Sequence, residues 1–306
     1  MKIGIVRNPV SGGRASVRAW PALYQALRVR FPDLAVCETT TAGQAADMSR
    51  ALADSGCDLV IAVGGDGTVS DVVDGILSSS RPKTAFSLIP NGTGCDFARN
   101  FTLASAPQAI AGQIAEAPVR FIDAVRISGP DGNGGRINRH FANIASVGVS
   151  GEIVRAVNAA PRGRFLGGSM RFMLYSAREI LRYRPQSVRV VIDGEEIYAG
   201  GVTVVSVANG AWFGGGMHVV PQADLADGLL DIAVMRAASR AGQLGLLARL
   251  PSAAHVGHPL LSFHRGRSVE ITPLEDGRFS SEIDGENSGL RALRADILPA
   301  GLALRI

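Results

Sequence analysis

Along the first third of the chain, short apolar runs alternate with stretches in which apolar residues recur every three or four positions. Residues 2–6, 34–37, 58–63 and 84–89 read as buried strands, each bounded by polar or turn residues. Residues 16–30, 43–54 and 69–77 carry helical spacing instead. This alternation predicts a parallel sheet with helices on its faces. Beyond Arg120 the pattern shifts toward period two. Residues 121–128, 187–192, 202–208, 229–234, 268–272 and 279–283 are strand-like, and Gly, Asp and Asn turns separate them. That predicts a β-rich antiparallel sandwich. The expected boundary between the two domains lies near Ile122 and Asp123, giving residues 1–122 and a second domain from residue 123.

Composition narrows the function classes. At 46% hydrophobic and 19% charged, a chain of 306 residues can bury two sizeable cores, which excludes a disordered protein. A formal charge of +4 is too mild for a nucleic-acid coat, so no nucleic-acid partner is expected. Cys37, Cys57 and Cys95 are scattered, in no zinc spacing or disulfide framework. The five histidines show no metal spacing either. No apolar run approaches the length of a membrane span, and the opening residues read as a strand rather than a signal peptide. A cytoplasmic protein is expected, with any contact at the inner face of the membrane made peripherally. Oligomeric state is not legible, and a homodimer stays open.

The chemistry concentrates where the first strands end, the place where open parallel sheets bind ligands. Three glycine-bearing loops fall there: Asn8-Pro9-Val10-Ser11-Gly12-Gly13, Gly64-Gly65-Asp66-Gly67-Thr68 and, before a helix expected from Cys95, Pro90-Asn91-Gly92-Thr93-Gly94. Glycine lets backbone approach a ligand, and a helix start offers unpaired N–H groups at the positive end of its dipole. One such loop could be a plain turn; three at one sheet edge, one with an acid between glycines, point to phosphate. Neither the Walker pattern nor a GxGxxG dinucleotide loop is present.

The loop Gly64–Gly65–Asp66–Gly67–Thr68 resembles the GGDGT signature of the diacylglycerol kinase catalytic-domain family, which includes bacterial soluble lipid kinases and the sphingosine and ceramide kinases. The resemblance extends along the chain in order. It takes in Asn8-Pro9-Val10-Ser11-Gly12, then PNGTGCDFA from Pro90 to Ala98, and Phe213-Gly214-Gly215-Gly216-Met217. The run from Pro221 through Asp227-Gly228 to Asp231 and the late Asp284-Gly285-Glu286 complete it. It implies an NAD kinase or phosphofructokinase-like α/β first domain to which the chain end, about residues 294–306, returns, with residues 123–293 as a lipid-substrate and metal-binding sandwich. It further implies ATP and Mg²⁺ as cofactors, a lipid hydroxyl as acceptor, and an active site between the domains.

Roles carry over position by position. Asn8, Ser11, Gly12, Thr39, Gly64, Gly65, Asp66, Gly67, Thr68, Gly92 and Thr93 would surround ATP. Asp66 and Asp96 would join the catalytic acids, Glu286 would be the general base, and Asp224, Asp227 and Leu229 would hold a metal. These parts suit phosphoryl transfer, which needs positioning and charge neutralisation more than covalent help. Cys95, Asn91 and Ser70 depart from the family pattern. On spacing alone, Asp193-Gly194, Asp227-Gly228 and Asp284-Gly285 also read as ordinary turns.

Residues 155–189 hold eight arginines and a single acid, Glu179. Met170, Met173, Leu174, Ala177, Ile180 and Leu181 recur at helical spacing there, with Arg171, Arg178 and Arg182 on other positions. The segment reads either as a helix resting on an anionic membrane or as a surface helix packed on the sandwich. Two further readings stay open: a kinase for a soluble metabolite such as NAD, and a nucleotide-binding regulatory protein without catalysis.

Overall fold

The apolar runs of the first third become parallel strands. These are β1 (Ile3–Arg7), β2 (Leu34–Glu38), β3 (Leu59–Gly64) and β4 (Ala85–Pro90), with α1 (Gly13–Arg30), α2 (Gln44–Asp54) and α3 (Asp66–Leu77) between them. After β4 a helix was expected from Cys95. The structure has a 3₁₀ turn at Phe97–Asn100 instead, preceded by Cys95 in left-handed backbone at φ +48°. The helix α4 (Pro107–Glu116) follows, starting on a proline whose missing N–H costs nothing there. The structure is a computed structural model and describes residues 1–92, 94–160, 168–275 and 279–306.

Next come β5 (Arg120–Pro130), β6 (Arg136–Phe141), β7 (Ile144–Gly148), α5 (Val149–Ala159), α6 (Gly168–Arg182), β8 (Gln186–Ile192) and β9 (Glu195–Ala208). Then follow β10 (Trp212–Phe213), β11 (Met217–His218), β12 (Leu230–Arg236), α7 (Arg240–Leu247), β13 (Leu261–Gly266) and β14 (Ser268–Pro273). The last strands are β15 (Ser281–Ile283), β16 (Glu286–Asn287) and β17 (Leu293–Leu304). The chain divides into a unit of Met1–Ala124 with Ala300–Ile306 and a unit of Val125–Pro299.

In the first unit β1 pairs in parallel with β2 and β3, β3 pairs with β4, and Leu304 at the end of β17 pairs with Phe86 of β4. Ile3, Ile5, Leu59, Ile61 and Val63 pack with Leu23 and Leu27 of α1 and Ile114 of α4 on one face. Opposite, α2 and α3 meet across a backbone contact. A Cβ on Gly75 would stand 2.1 Å from the Ala46 carbonyl and 1.9 Å from Ser49 Oγ. The terminal strand is locked by Arg305, which donates to the Ile114 carbonyl (2.7 Å) and to that of Ala115, at the open end of α4. Asp123, buried, accepts the Ala300 N–H at 2.7 Å.

The second unit is antiparallel. β9 pairs with β7, β8 and β12; β8 with β14; β14 with β17; β12 with β13; β7 with β15; and β5 with β6. Period two decides the faces. Val205 and Val207 enter one core with Val188, Ile232 and Val269, whereas Val204 and Ala208 turn to the other, where α5, α6 and α7 add Ile153, Ile180 and Leu247.

Gly75→Ala should lower stability by about 1–3 kcal/mol, because backbone on α2 must give way. Urea denaturation of the pure protein checks it, and an unchanged midpoint would refute the contact.

Candidate active site

In the first unit the parallel register brings the ends of β1, β3 and β4 to one edge: Arg7 lies opposite Val63, and Gly64 opposite Pro90. The three glycine loops interlock there. The Asn8 N–H donates to the Val63 carbonyl at 2.9 Å, and the Asn8 side chain accepts the Val10 N–H at 3.1 Å. Asn91 is the node. Its N–H donates to the Gly64 carbonyl at 2.8 Å, its carbonyl accepts the Ser11 hydroxyl, and its side-chain amide donates to Ser16 in α1. On sequence Asn91 stood out only as a departure from the family pattern.

The loops touch backbone to backbone. A Cβ on Gly92 would lie 2.8 Å from Gly65 Cα, and one on Gly12, at φ +70°, 2.8 Å from the Asn91 carbonyl. Asp66 and Gly67 open α3, and Gly65 precedes them in extended conformation, so the first-turn N–H groups head the loop. Thr68 is buried in that turn, its side chain against Gly64. Thr39 joins this edge by donating its N–H to the Arg7 carbonyl at 2.9 Å. Thr93 lies outside the described residues.

The acids are held from below. Asp66 Oδ1 accepts the Phe97 N–H at 3.2 Å, and the buried Asp96 pairs with Arg99 at 3.2 Å. Cys95 folds back to accept the Gly92 N–H at 3.2 Å. Burial, then the neighbouring Asp66 carboxylate, pushes its thiol up to about 11, so it stays protonated and serves as a loop tie rather than a nucleophile. Ser70 is buried within α3.

In the second unit Asp224, Asp227 and Leu229 share one turn between β11 and β12. Asp224 Oδ1 accepts the Ala226 N–H and Asp227 Oδ1 that of Leu229, each at 3.0 Å. The other Asp227 oxygen takes a guanidinium N–H of Arg265, whose Nε lies 3.2 Å from the buried Asp231. That last contact is an ion pair by distance whose angle makes no hydrogen bond, and Asp231 Oδ1 has no other partner. Desolvation holds the Asp231 carboxyl up at about 6, eased by a hydrogen bond from Gln222. Among the described residues no three acidic, histidine or cysteine side chains gather as metal ligands. The cation beside Asp227 is therefore Arg265, and a divalent ion would have to displace it.

Glu286 follows a two-residue turn. Asp284 (φ +47°) and Gly285 (φ +83°) connect Ile283 to Glu286, which pair across β15 and β16. Asp284 is pinned by mutual bonds with the Ile144 backbone, at 3.0 Å to its side chain and 2.9 Å from its N–H. Glu286 is exposed, and Asn158 of α5 donates to its Oε2 at 3.3 Å and to the Gly285 carbonyl at 3.2 Å. Beneath it Glu282 is fully buried, a carboxyl that no spacing rule singles out.

Arg265→Ala should destabilise the protein by about 1–2 kcal/mol, a buried-pair loss discounted for the arginine's exposure. Millimolar Mg²⁺ should recover part of that in the variant and leave the parent unmoved, as read by thermal melting. Equal response of both proteins would show that Arg265 is not the counter-charge.

Two family models match the chain. Residues 2–127 match the diacylglycerol kinase catalytic domain, and residues 143–306 match the YegS C-terminal NAD kinase beta sandwich-like domain. A diacylglycerol kinase of Mycobacterium tuberculosis is 32% identical over 297 residues, covering 95% of this chain and 93% of that protein. One from Bacillus subtilis is 24% identical, covering 94% and 90%. A solved diacylglycerol kinase structure from Bacillus anthracis superposes with a TM-score of 0.71 at 20% identity, covering 99% and 96% of the two chains. Yeast NADH kinase shares the fold more distantly, with a TM-score of 0.52 at 11% identity and coverage of 99% and 82%. The chain belongs to the diacylglycerol kinase family, and it is a kinase with a parallel α/β domain and an antiparallel β sandwich.

Proposed function

We propose that this kinase transfers the γ-phosphoryl group of ATP to a hydroxyl of a lipid lying at a membrane surface. The observation that carries the reading is the interlocked trio of backbone-rich loops around Asn91 and Gly92, at the head of α3. A triphosphate offers many acceptor oxygens, and a surface of backbone N–H groups at a helix start is suited to receive them. Asn8, Ser11, Gly12, Thr39, Gly64, Gly65, Gly67, Thr68, Gly92 and Thr93 are the proposed nucleotide-contacting positions. Asp66 and Asp96 are the proposed acids beside the phosphates.

In the step itself the lipid oxygen bonds to the γ-phosphorus as the bond to the bridging oxygen of ADP breaks, and the hydroxyl proton passes to the Glu286 carboxylate. Mg²⁺ bound with the nucleotide would neutralise phosphate charge, for which one or two carboxylates and phosphate oxygens suffice; Asp66, a hard oxygen donor at the loop, fits that need. The Asp224, Asp227 and Leu229 turn as a second metal site would require Arg265 to yield.

The lipid side is supported by α6. Met170, Leu174 and Leu181 are 57%, 52% and 50% exposed and share one helical face, with Arg178 and Arg182 exposed beside it. An apolar stripe flanked by arginines complements an anionic lipid surface. Arg171 is not part of that surface, because its guanidinium donates to the Val157 and Ala160 carbonyls at 2.8 and 2.7 Å, at the end of α5. No described helix is long and apolar enough to cross a membrane. The proposed location is the cytoplasm, at the inner membrane face.

Radiolabelled ATP with Mg²⁺, a panel of lipid micelles and NAD as a soluble control tests the reaction. Label should reach a lipid, and Glu286→Gln should cut kcat by roughly 10²–10⁴-fold. Gly92→Ala should weaken ATP binding by about tenfold or more, by forcing two loops apart. Label on NAD alone would overturn the lipid assignment. Replacing Arg178 and Arg182 together by Gln should weaken binding to phosphatidylglycerol vesicles by about 30-fold, at about 1 kcal/mol per arginine. Unchanged sedimentation with such vesicles would remove α6 from the membrane surface.

A further inference from the structure

Glu282 is an acid where a strand ordinarily carries an apolar residue: it is fully buried in β15, directly opposite Ser146 of β7. Its Oε1 is hydrogen-bonded to Ser146 Oγ, and Ser146 Oγ lies 2.7 Å from Ser150 Oγ in the first turn of α5. Its Oε2 accepts the Gly285 N–H at 2.9 Å. Gly285 is the second residue of the turn that presents Glu286, and Asn158, two turns further along α5, holds Glu286 and the Gly285 carbonyl from the other side. One helix and one buried carboxyl therefore grip the turn at both ends.

We propose that Glu282 is a positioning residue for Glu286, fixing the Asp284–Gly285 turn through the Gly285 amide while Ser146 and Ser150 hold its other oxygen. The inference rests on the reading of Glu286 as the base of the lipid kinase reaction.

Its hydrogen bonds close in either protonation state. When Glu282 is ionised, the Ser146 hydroxyl donates to Oε1, Ser150 can donate to Ser146, and Oε2 accepts from Gly285. When it is neutral, Oε1–H donates to Ser146 and the Ser146 hydroxyl to Ser150. Burial pushes the Glu282 carboxyl up to about 8, with Asp284 and Glu286 adding like charge against the bonds from Ser146 and Gly285. The charged groups on the packed helix are Glu152 and Arg155, which pair with each other at 2.9 Å; Arg155 also reaches Ser280 Oγ at 3.3 Å. A neutral Glu282 also spares Glu286 a further negative charge beside that of Asp284. Since the folded-state value lies above the ordinary one, the contribution to stability is complete in acid and declines as pH rises to about 8.

The test compares the full-length protein with Glu282→Ala and Glu282→Gln, each checked for folding by circular dichroism. Amide hydrogen exchange across residues 284–287 is read as protection factors, and kcat is followed from pH 6 to 10. Glu282→Ala should lose protection in that turn and about tenfold or more in kcat, with KM for ATP unmoved. Glu282→Gln should rescue most of both and lack the fall in kcat that the parent shows above about pH 8. Full protection in the alanine variant, or a folded glutamine variant as impaired as alanine, would overturn the proposal. Exchange needs no acceptor, so a parent that phosphorylates no lipid would refute the functional reading while leaving this positioning role decided on its own readout.

Discussion

Two backbones in the first unit approach until no side chain fits between them. Gly65 leads into α3 and Gly92 follows β4, and a methyl group on Gly92 would stand 2.8 Å from Gly65 Cα. This contact depends on the parallel register that ends β3 and β4 together, with Gly64 opposite Pro90. From it follows a helix start headed by the half-buried Gly65, Asp66 and Gly67, where the two glycines leave the peptide groups unshielded by side chains. Asn91 completes the arrangement by tying β3, α1 and the first loop with backbone and side chain at once. The phosphate-binding role proposed for these loops needs rigidity more than charge, since the donors must already be placed when the ligand arrives.

The second unit uses another physical device, the buried carboxyl with an assigned partner. Asp231 lies inside the sheet beside Arg265, and Glu282 lies inside it against Ser146 and Gly285. Each would be costly alone in a low-dielectric interior, and each is settled differently. Asp231 has a cation at ion-pair distance, while Glu282 has neutral donors and acceptors that suit a protonated acid. Desolvation raises Asp231 to about 6, eased by a hydrogen bond from Gln222, and raises Glu282 to about 8, eased by the bonds from Ser146 and Gly285.

Two Asp-Gly turns show how far local sequence reaches. Asp193-Gly194 and Asp284-Gly285 adopt nearly the same backbone, with φ values of +49° and +90° against +47° and +83°. Asp193 turns its carboxylate onto the Arg267 and Ser268 amides, which pull its pKa below the ordinary range although burial opposes them. Asp284 is fastened to the Ile144 backbone, and the turn it belongs to is gripped by Glu282 and Asn158. Local propensity specifies the turn in both places; the surroundings that separate them come from strands far away in the chain.

The strand and helix periods, the parallel-then-antiparallel order and the glycine loops at strand ends were all legible, because each depends on residues within a few positions of one another. Pattern also marked α6 as amphipathic, but not that Arg171 is engaged on the carbonyls of α5 while Arg178 and Arg182 remain exposed. Where a helix was expected from Cys95 the chain makes a 3₁₀ turn, and Cys95 instead folds back onto the Gly92 N–H, a local tie that composition does not display. What only the tertiary structure decided is partnership over distance: Arg265 with Asp227, Asn91 with Ser11 and Ser16, Glu282 with Ser146. Side-chain charge and hydrogen-bonding capacity are written in the sequence, but the dielectric and the neighbours that determine their use exist only once the sheets have assembled.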